Sequence, residues 1–288
     1  MESRPLATDD VADLYDELIE VYEREWDRQD HRSLHLGYYD DDHQDDAAAA
    51  INAMRVLADA AGIDADDRVV NVGCGAGADS VYLARAHGVT VVGVNISESQ
   101  LELAREHAAD QGVTDRTDFR YDDFHELATV ADGSIDVYWG LEALTHSDDV
   151  PAALAQARRV LAPGGRLAVA DLFTPTAAHS DAVAADLRRI EDALGVRFEP
   201  IDSFRSALSE AGFECVDVRD ATANVEPATK RRYTFSRIAG YAGPVLKRIG
   251  FFSDAQVDAM QASKLLHERV ADGSLGYYVV TADAPRSS

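Results

Sequence analysis

Apolar residues along this chain recur with two periods, and the changes between them mark out the elements. Val11, Leu14, Tyr15, Leu18, Ile19, Tyr22 and Trp26 fall on one face of a helix. His35-Leu36-Gly37-Tyr38-Tyr39 is an aromatic segment, and the acidic run from Asp40 to Asp46 reads as a solvated loop and helix start. Residues 47–61 follow as a helix ended by Gly62. From there short apolar runs alternate with helical patterns. Val69–Val72, Val89–Val94, Thr117–Tyr121, Ile135–Tyr138 and Arg166–Asp171 read as strands. Asp79–His87, Ser97–Gln111 and Val150–Leu161 read as helices between them, with Ser97 as an N-cap. The turn Asp132-Gly133-Ser134 introduces the fourth strand, and Pro163-Gly164-Gly165 stops the helix before the fifth.

The pattern then loosens. Ser180–Leu194 and Ser203–Ala211 read as helices, Phe213–Val218 as a strand and Leu275–Thr281 as the last strand. The interval of about fifty residues before that strand is too long for a plain loop, which predicts a helical cap. It holds Tyr233, Phe235, Tyr241, Phe251, Phe252 and Met260. The alternation predicts an α/β fold: a Rossmann-like, mostly parallel seven-stranded sheet with helices on both faces. The expected organisation is an N-terminal helical lid over 1–54, a core over 55–222, a helical substrate cap over 223–270, and the final strand with a tail over 271–288.

Charge narrows the partners. The 288 residues carry a formal net charge of −25, and lysine occurs only at Lys230, Lys247 and Lys264. Such a chain repels nucleic-acid phosphates, so a small-molecule substrate is expected and a nucleic acid is not. Acidic, lysine-poor composition resembles that of haloarchaeal cytoplasmic proteins, which predicts a halophilic, cytoplasmic protein. Cys74 and Cys215 are the two cysteines, so neither a disulfide framework nor a zinc site is expected. His31, His107 and His179 have no metal-ligand spacing, and no metal is inferred. The first residues are not those of a signal peptide, and no apolar run approaches the ~18 residues that span a bilayer.

The chemistry starts at Val69-Val70-Asn71-Val72-Gly73-Cys74-Gly75-Ala76-Gly77, a strand running into a glycine turn before a helix. Glycines let the backbone turn sharply and approach a ligand closely. Gly73, Gly75 and Ala78 satisfy the dinucleotide pattern G-x-G-x-x-G/A, whereas Gly73, Gly75 and Gly77 satisfy the G-x-G-x-G of S-adenosylmethionine enzymes. Both cofactors fit the turn by itself. At the end of the second strand the ribose position is Asn95, whose amide can hydrogen-bond hydroxyls but lacks the carboxylate charge that NAD enzymes favour. At the end of the third strand, Asp123 can accept from an adenine amine while the Phe124 N–H meets the ring. That element favours the methyl donor.

Two further stretches, Ile135-Asp136-Val137-Tyr138-Trp139-Gly140-Leu141-Glu142-Ala143-Leu144-Thr145-His146 and Leu161-Ala162-Pro163-Gly164-Gly165-Arg166-Leu167, complete an order of motifs. With them the chain resembles a class I S-adenosylmethionine-dependent methyltransferase. Leu34 to Tyr39, Asn95-Ile96-Ser97 with Gln100, Glu142 to His146, and Gly273 to Tyr278 bring it closer to one subgroup. That subgroup contains sarcosine/dimethylglycine N-methyltransferases, tocopherol-type O-methyltransferases and antibiotic-sugar O-methyltransferases. The resemblance implies that Tyr22 and Leu36 help close the cofactor pocket, and that Asn95, Ile96, Gln100, Asp123, Phe124 and Leu141 line it. It also implies a His146–Asp171 pair that takes the proton from a phenol, quinol or sugar hydroxyl. An N-methyltransferase of glycine-derived amines, needing no base, is the alternative, and an NAD-dependent oxidoreductase is the alternative of another class. Lys230-Arg231-Arg232 and Arg237 suit either an anionic group of the acceptor or a solvated helix face.

Overall fold

Asp45 opens the first described helix, its carboxylate accepting from the Ala48 N–H, and Gly62 closes it in the left-handed region at φ 59°. In a computed structural model, which describes residues 32–233 and 254–286, this helix is α1 (Asp46–Ala61). It is followed by β1 (Arg68–Val72), α2 (Ala78–His87), β2 (Thr90–Asn95), α3 (Glu98–Asp110), β3 (Thr117–Tyr121) and β4 (Ile135–Leu141). After a 3-10 turn (Leu144–His146) come α4 (Val150–Val160), β5 (Leu161–Phe173), α5 (Asp181–Leu194), α6 (Ile201–Glu210) and β6 (Glu214–Asp220). Helix α7 (222–233), α8 (Asp254–Ala271) and β7 (Gly276–Asp283) complete the described elements.

The seven strands form one sheet in the order β3-β2-β1-β4-β5-β7-β6. Strands β1 to β5 pair in parallel, and β7 lies antiparallel between β5 and β6. Side chains alternate between two faces, as the pleat requires. Val69, Val91, Val137, Ala168 and Val279 face one core layer, with Leu57 of α1, Ile190 of α5 and Leu266 of α8. Val70, Tyr138, Leu167, Val169 and Val280 face the other, with Leu154 of α4 and Phe204 of α6. Chain order reverses between β1 and β4, the switch point where open α/β sheets hold ligands beyond the carboxyl ends of their strands.

Two expectations are adjusted. Pro163-Gly164-Gly165 does not separate α4 from β5, because the strand already starts at Leu161. The tripeptide is absorbed by a register shift opposite Ile135 and Val137, with Gly164 at φ 78°. Helix α1 is continuous through residue 54, so the boundary set there cuts an element that packs on β5 and β7. Within the expected cap, α7 and α8 are described and α8 packs along α5, while 234–253 lie outside the described residues. Tyr22 and the helix expected around it also lie outside them, as do Phe235, Arg237, Tyr241, Phe251 and Phe252. Among the described residues, no helix is long and apolar enough to cross a membrane.

The strap over 32–45 is tied to both α1 and α7. Tyr38 N–H donates to Ala49 O at 2.8 Å, and Gly37 lies so close to α1 that a Cβ there would meet that of Ala49 at 2.9 Å. Tyr39 N–H donates to Asn224 O and Asn224 Nδ2 returns to Tyr39 O, each at 2.8 Å. Arg231 pairs with Asp46 and lies 5.4 Å from the Tyr39 ring centre, while Arg232 donates to Leu34 O at 2.6 Å. These two exposed arginines therefore staple the strap to α7 from a solvated helix face.

Candidate active site

The loops at the carboxyl ends of β1, β2, β3, β4 and β5 bring most of the sequence-derived residues to one end of the sheet. Gly73, Gly75 and Gly77 have φ of 62°, 53° and 83°, a region that side-chain-bearing residues rarely enter. Their surroundings differ. A Cβ on Gly73 would meet Ala143 Cβ at 3.0 Å, and one on Gly77 would meet Ala104 Cβ at 2.9 Å. A Cβ on Gly75 would have nothing within 4 Å. Gly73 and Gly77 thus let the turn pack on β4's loop and on α3, while Gly75 presents bare backbone to open space, ahead of the N-terminus of α2.

At the end of β2 the Asn95 side chain is engaged within its own turn. Its Oδ1 accepts from the Ile96 N–H at 2.7 Å, and its Nδ2 donates to Gln100 Oε1 at 2.6 Å. Ser97 caps α3 by accepting from the Gln100 N–H, as its sequence position suggests. Gln100 itself is buried, and its Nε2 donor is without a partner. A buried amide donor beside a glycine turn is suited to a ligand hydroxyl. Asn95 and Gln100 thus hold each other at the end of β2.

At the end of β3 the two adjacent acids divide their work. Asp122 is buried and accepts from Ala128 N, Thr129 N and Thr129 Oγ1, so it braces its own loop. Asp123 is partly exposed and accepts, through Oδ1, from the N–H and Nδ1 of His125. Phe124 stands beside it, its ring 4.5 Å from that of His125.

Beyond β4 the chain makes the 3-10 turn that carries His146. Asp171, buried on β5, accepts from Thr145 N at 3.0 Å and from Leu172 N at 2.9 Å. Burial raises its pKa to about 6. Gly195, left-handed at the end of α5, directs its carbonyl to His146 Nδ1 at 2.7 Å. Arg197 N–H holds Thr145 O at 2.6 Å. The orienting partner at His146 Nδ1 is thus a backbone carbonyl, and Asp171 acts on the turn rather than on that nitrogen. A carbonyl only accepts, so Nδ1 carries the hydrogen and Nε2 carries the lone pair of the neutral ring. Burial lowers the pKa of His146 despite this bond, which favours the neutral base.

A buried polar group next to this turn had a place in a sequence motif but no role assigned to it. Glu142 follows Leu141, itself buried at the end of β4, and has φ 51°. Its Oε1 accepts from Leu36 N–H at 2.7 Å, so Leu36 closes the strap onto β4 through its backbone while its side chain joins the core. Burial lifts Glu142 to about 7, against the opposing charge of Arg232. Asp79 of α2 is also pushed up to about 7 by burial, accepts from Trp139 Nε1 at 2.8 Å and lies 3.6 Å from His35 Nε2. Tyr277 of β7 is buried beside these carboxylates. The sequence signal for Glu142 was its place one residue beyond a buried strand end, where a carboxylate is costly to bury and calls for a use.

Comparison with known proteins follows this layout. Residues 70–169 match the family model described as a methyltransferase domain. A 27-O-demethylrifamycin SV methyltransferase of Amycolatopsis mediterranei (strain S699) is 33% identical over 275 residues, covering 94% of this chain and 95% of the relative. Methyltransferase GfsG of Streptomyces halstedii is 31% identical over 220 residues, covering 76% of this chain and 77% of its own. Among solved structures, the [4+2]-cyclase SpnF superposes with a TM-score of 0.81 at 22% identity, over 100% of this chain and 99% of its own, a likeness of fold.

Proposed function

The chain belongs to the class I S-adenosylmethionine-dependent methyltransferases, and from that premise we propose that it methylates a hydroxyl of a small organic acceptor, a phenol, quinol or sugar, with His146 as the base. The nicotinamide alternative left open by the glycine turn falls away with family membership. The observation that carries the reading is the Gly195 carbonyl on His146 Nδ1. It fixes the tautomer whose Nε2 accepts a proton. The A. mediterranei relative supports it, being named for an O-demethylated acceptor.

The residues present fit the cofactor. Gly75 offers backbone without steric obstruction, Gln100 a buried unpaired donor, and Asp123 an acceptor at the end of β3. When bound, S-adenosylmethionine supplies a methyl carbon made electrophilic by its sulfonium. The Gly73–Gly77 backbone holds its methionine end, Asn95 sets Gln100 toward the ribose hydroxyls, and Asp123 with the Phe124 N–H meets the adenine. Leu36 and the strap it belongs to exclude water from above. His146 Nε2 would take the acceptor's hydroxyl proton, and Asp171 would keep the turn in register. The acidic, lysine-poor composition supports a halophilic, cytoplasmic setting for this chemistry.

The test is incubation with deuteromethyl-labelled cofactor and panels of hydroxyl and amine acceptors, read by mass spectrometry. Label on oxygen is expected. His146→Ala should slow transfer by about 100-fold or more, the usual worth of a positioned base, and leave S-adenosylhomocysteine affinity within about twofold. Unchanged turnover removes His146 as base, and label on nitrogen alone replaces the hydroxyl reading with the amine one.

A further inference from the structure

We propose that His125 is a positioning residue for the adenine of the cofactor: it sets the Asp123 carboxylate and couples it to the turn that bears His146. The inference rests on the reading of Asp123 as the adenine acceptor.

His125 bridges two loops that the sequence keeps apart. Its Nδ1 is 2.7 Å from Asp123 Oδ1, and its own backbone N–H donates to the same oxygen at 2.8 Å. On the other side, Nε2 is 2.8 Å from Ser147 Oγ. Ser147 is buried, follows His146 directly and donates its N–H to Leu144 O at 3.0 Å. Its Oγ also accepts from Asp149 N–H at 3.1 Å. A carboxylate only accepts, so Nδ1–H donates to Asp123, while Nε2 and the Ser147 hydroxyl share the second hydrogen bond.

A carboxylate on a surface loop is normally free to rotate. Two donors from one residue on Oδ1 fix the plane in which Oδ2 lies, and that plane decides which ligand donor Asp123 can meet. Asp122, one residue earlier, is spent on Thr129 and Ala128. One imidazole thus holds the adenine acid against the same turn whose Thr145 is held by Asp171.

Calorimetric titration with S-adenosylhomocysteine and with S-inosylhomocysteine, which has an oxo group in place of the 6-amino group, tests this without turnover. Wild-type protein is expected to prefer the adenine form. His125→Ala should lower that preference about tenfold, the worth of one charge-assisted hydrogen bond, toward the level of Asp123→Ala. Preference retained by His125→Ala but lost by Asp123→Ala overturns the role of His125. Preference retained by Asp123→Ala overturns the adenine reading of Asp123 and the inference with it. Should His125→Ala fail to fold, His125→Asn and His125→Gln carry the test. Asn places its amide donor where Nδ1 stands, and Gln places its own where Nε2 stands. Preference kept by Asn and lost by Gln supports the proposal, and equal preference in both overturns it.

Discussion

Glu142 combines a left-handed backbone, a buried carboxylate and a backbone donor from the strap. Its pKa rises from the ordinary 4.5 to about 7 on folding, chiefly through burial. Between those values the folded chain keeps a proton that the unfolded chain has released, so the group's stability contribution is lost as pH rises through 7. Glu142→Gln keeps an oxygen for Leu36 and removes the charge. It should stabilise the free protein at pH 8 by on the order of 2 kcal/mol, allowing for partial solvent screening. The gain should shrink toward pH 4.5, as denaturant unfolding at the two values would show; a gain of equal size at both would mean that charge is not its source. His146 has the opposite sign. Its pKa lies below the usual 6.5, so the acid limb of kcat/KM should have its midpoint under 6.5; a midpoint above it would assign the limb to another group. His146 and Asp171 were singled out through the resemblance to the methyltransferase family. Gly195 was not, because its contact with His146 spans 49 positions and a carbonyl has no sequence signature.

At the scale of elements, the turn from β1 to α2 separates two uses of glycine. Gly77→Ala would drive a methyl into Ala104 and Phe119 in addition to its positive φ, and should destabilise the fold by about 2–4 kcal/mol. Gly75→Ala meets no neighbour within 4 Å, and should cost only about 1–2 kcal/mol through backbone strain. Its affinity for S-adenosylhomocysteine should nevertheless fall by more than that of Gly77→Ala measured at a temperature where both are folded. Thermal melts paired with calorimetry check the contrast, and equal affinities would show that the Gly75 backbone meets no ligand. The helices and strands were readable from period, as with Ser97 capping α3. The start of β5 was misread because Pro163-Gly164-Gly165 has the composition of a breaker, while pairing with β4 carries the strand through it. Local chemistry signals a turn; only the partner strand reveals a bulge.

For the whole molecule, a net charge of −25 on 288 residues means self-repulsion that salt relieves. The melting temperature should therefore rise by about 5–10 °C between 0.1 and 2 M KCl. A fall over that range would show that ion pairs such as Arg68–Asp136 and Arg105–Glu98 outweigh the excess acid. Alternating strands and helices predicted a parallel sheet, while the place of β7 inside it shows in burial on both faces, Val279 toward one core layer and Val280 toward the other, against the largely exposed β6. That position, β7 between β5 and β6, bears on how the protein is born. During synthesis β6 leaves the ribosome before its neighbour exists, and β5 waits with an open edge until Gly276–Asp283 has emerged. Tyr277 arrives on that same strand. The enzyme therefore closes its sheet in one late event, and a nascent chain halted before it should be a client for chaperones rather than a partly active product.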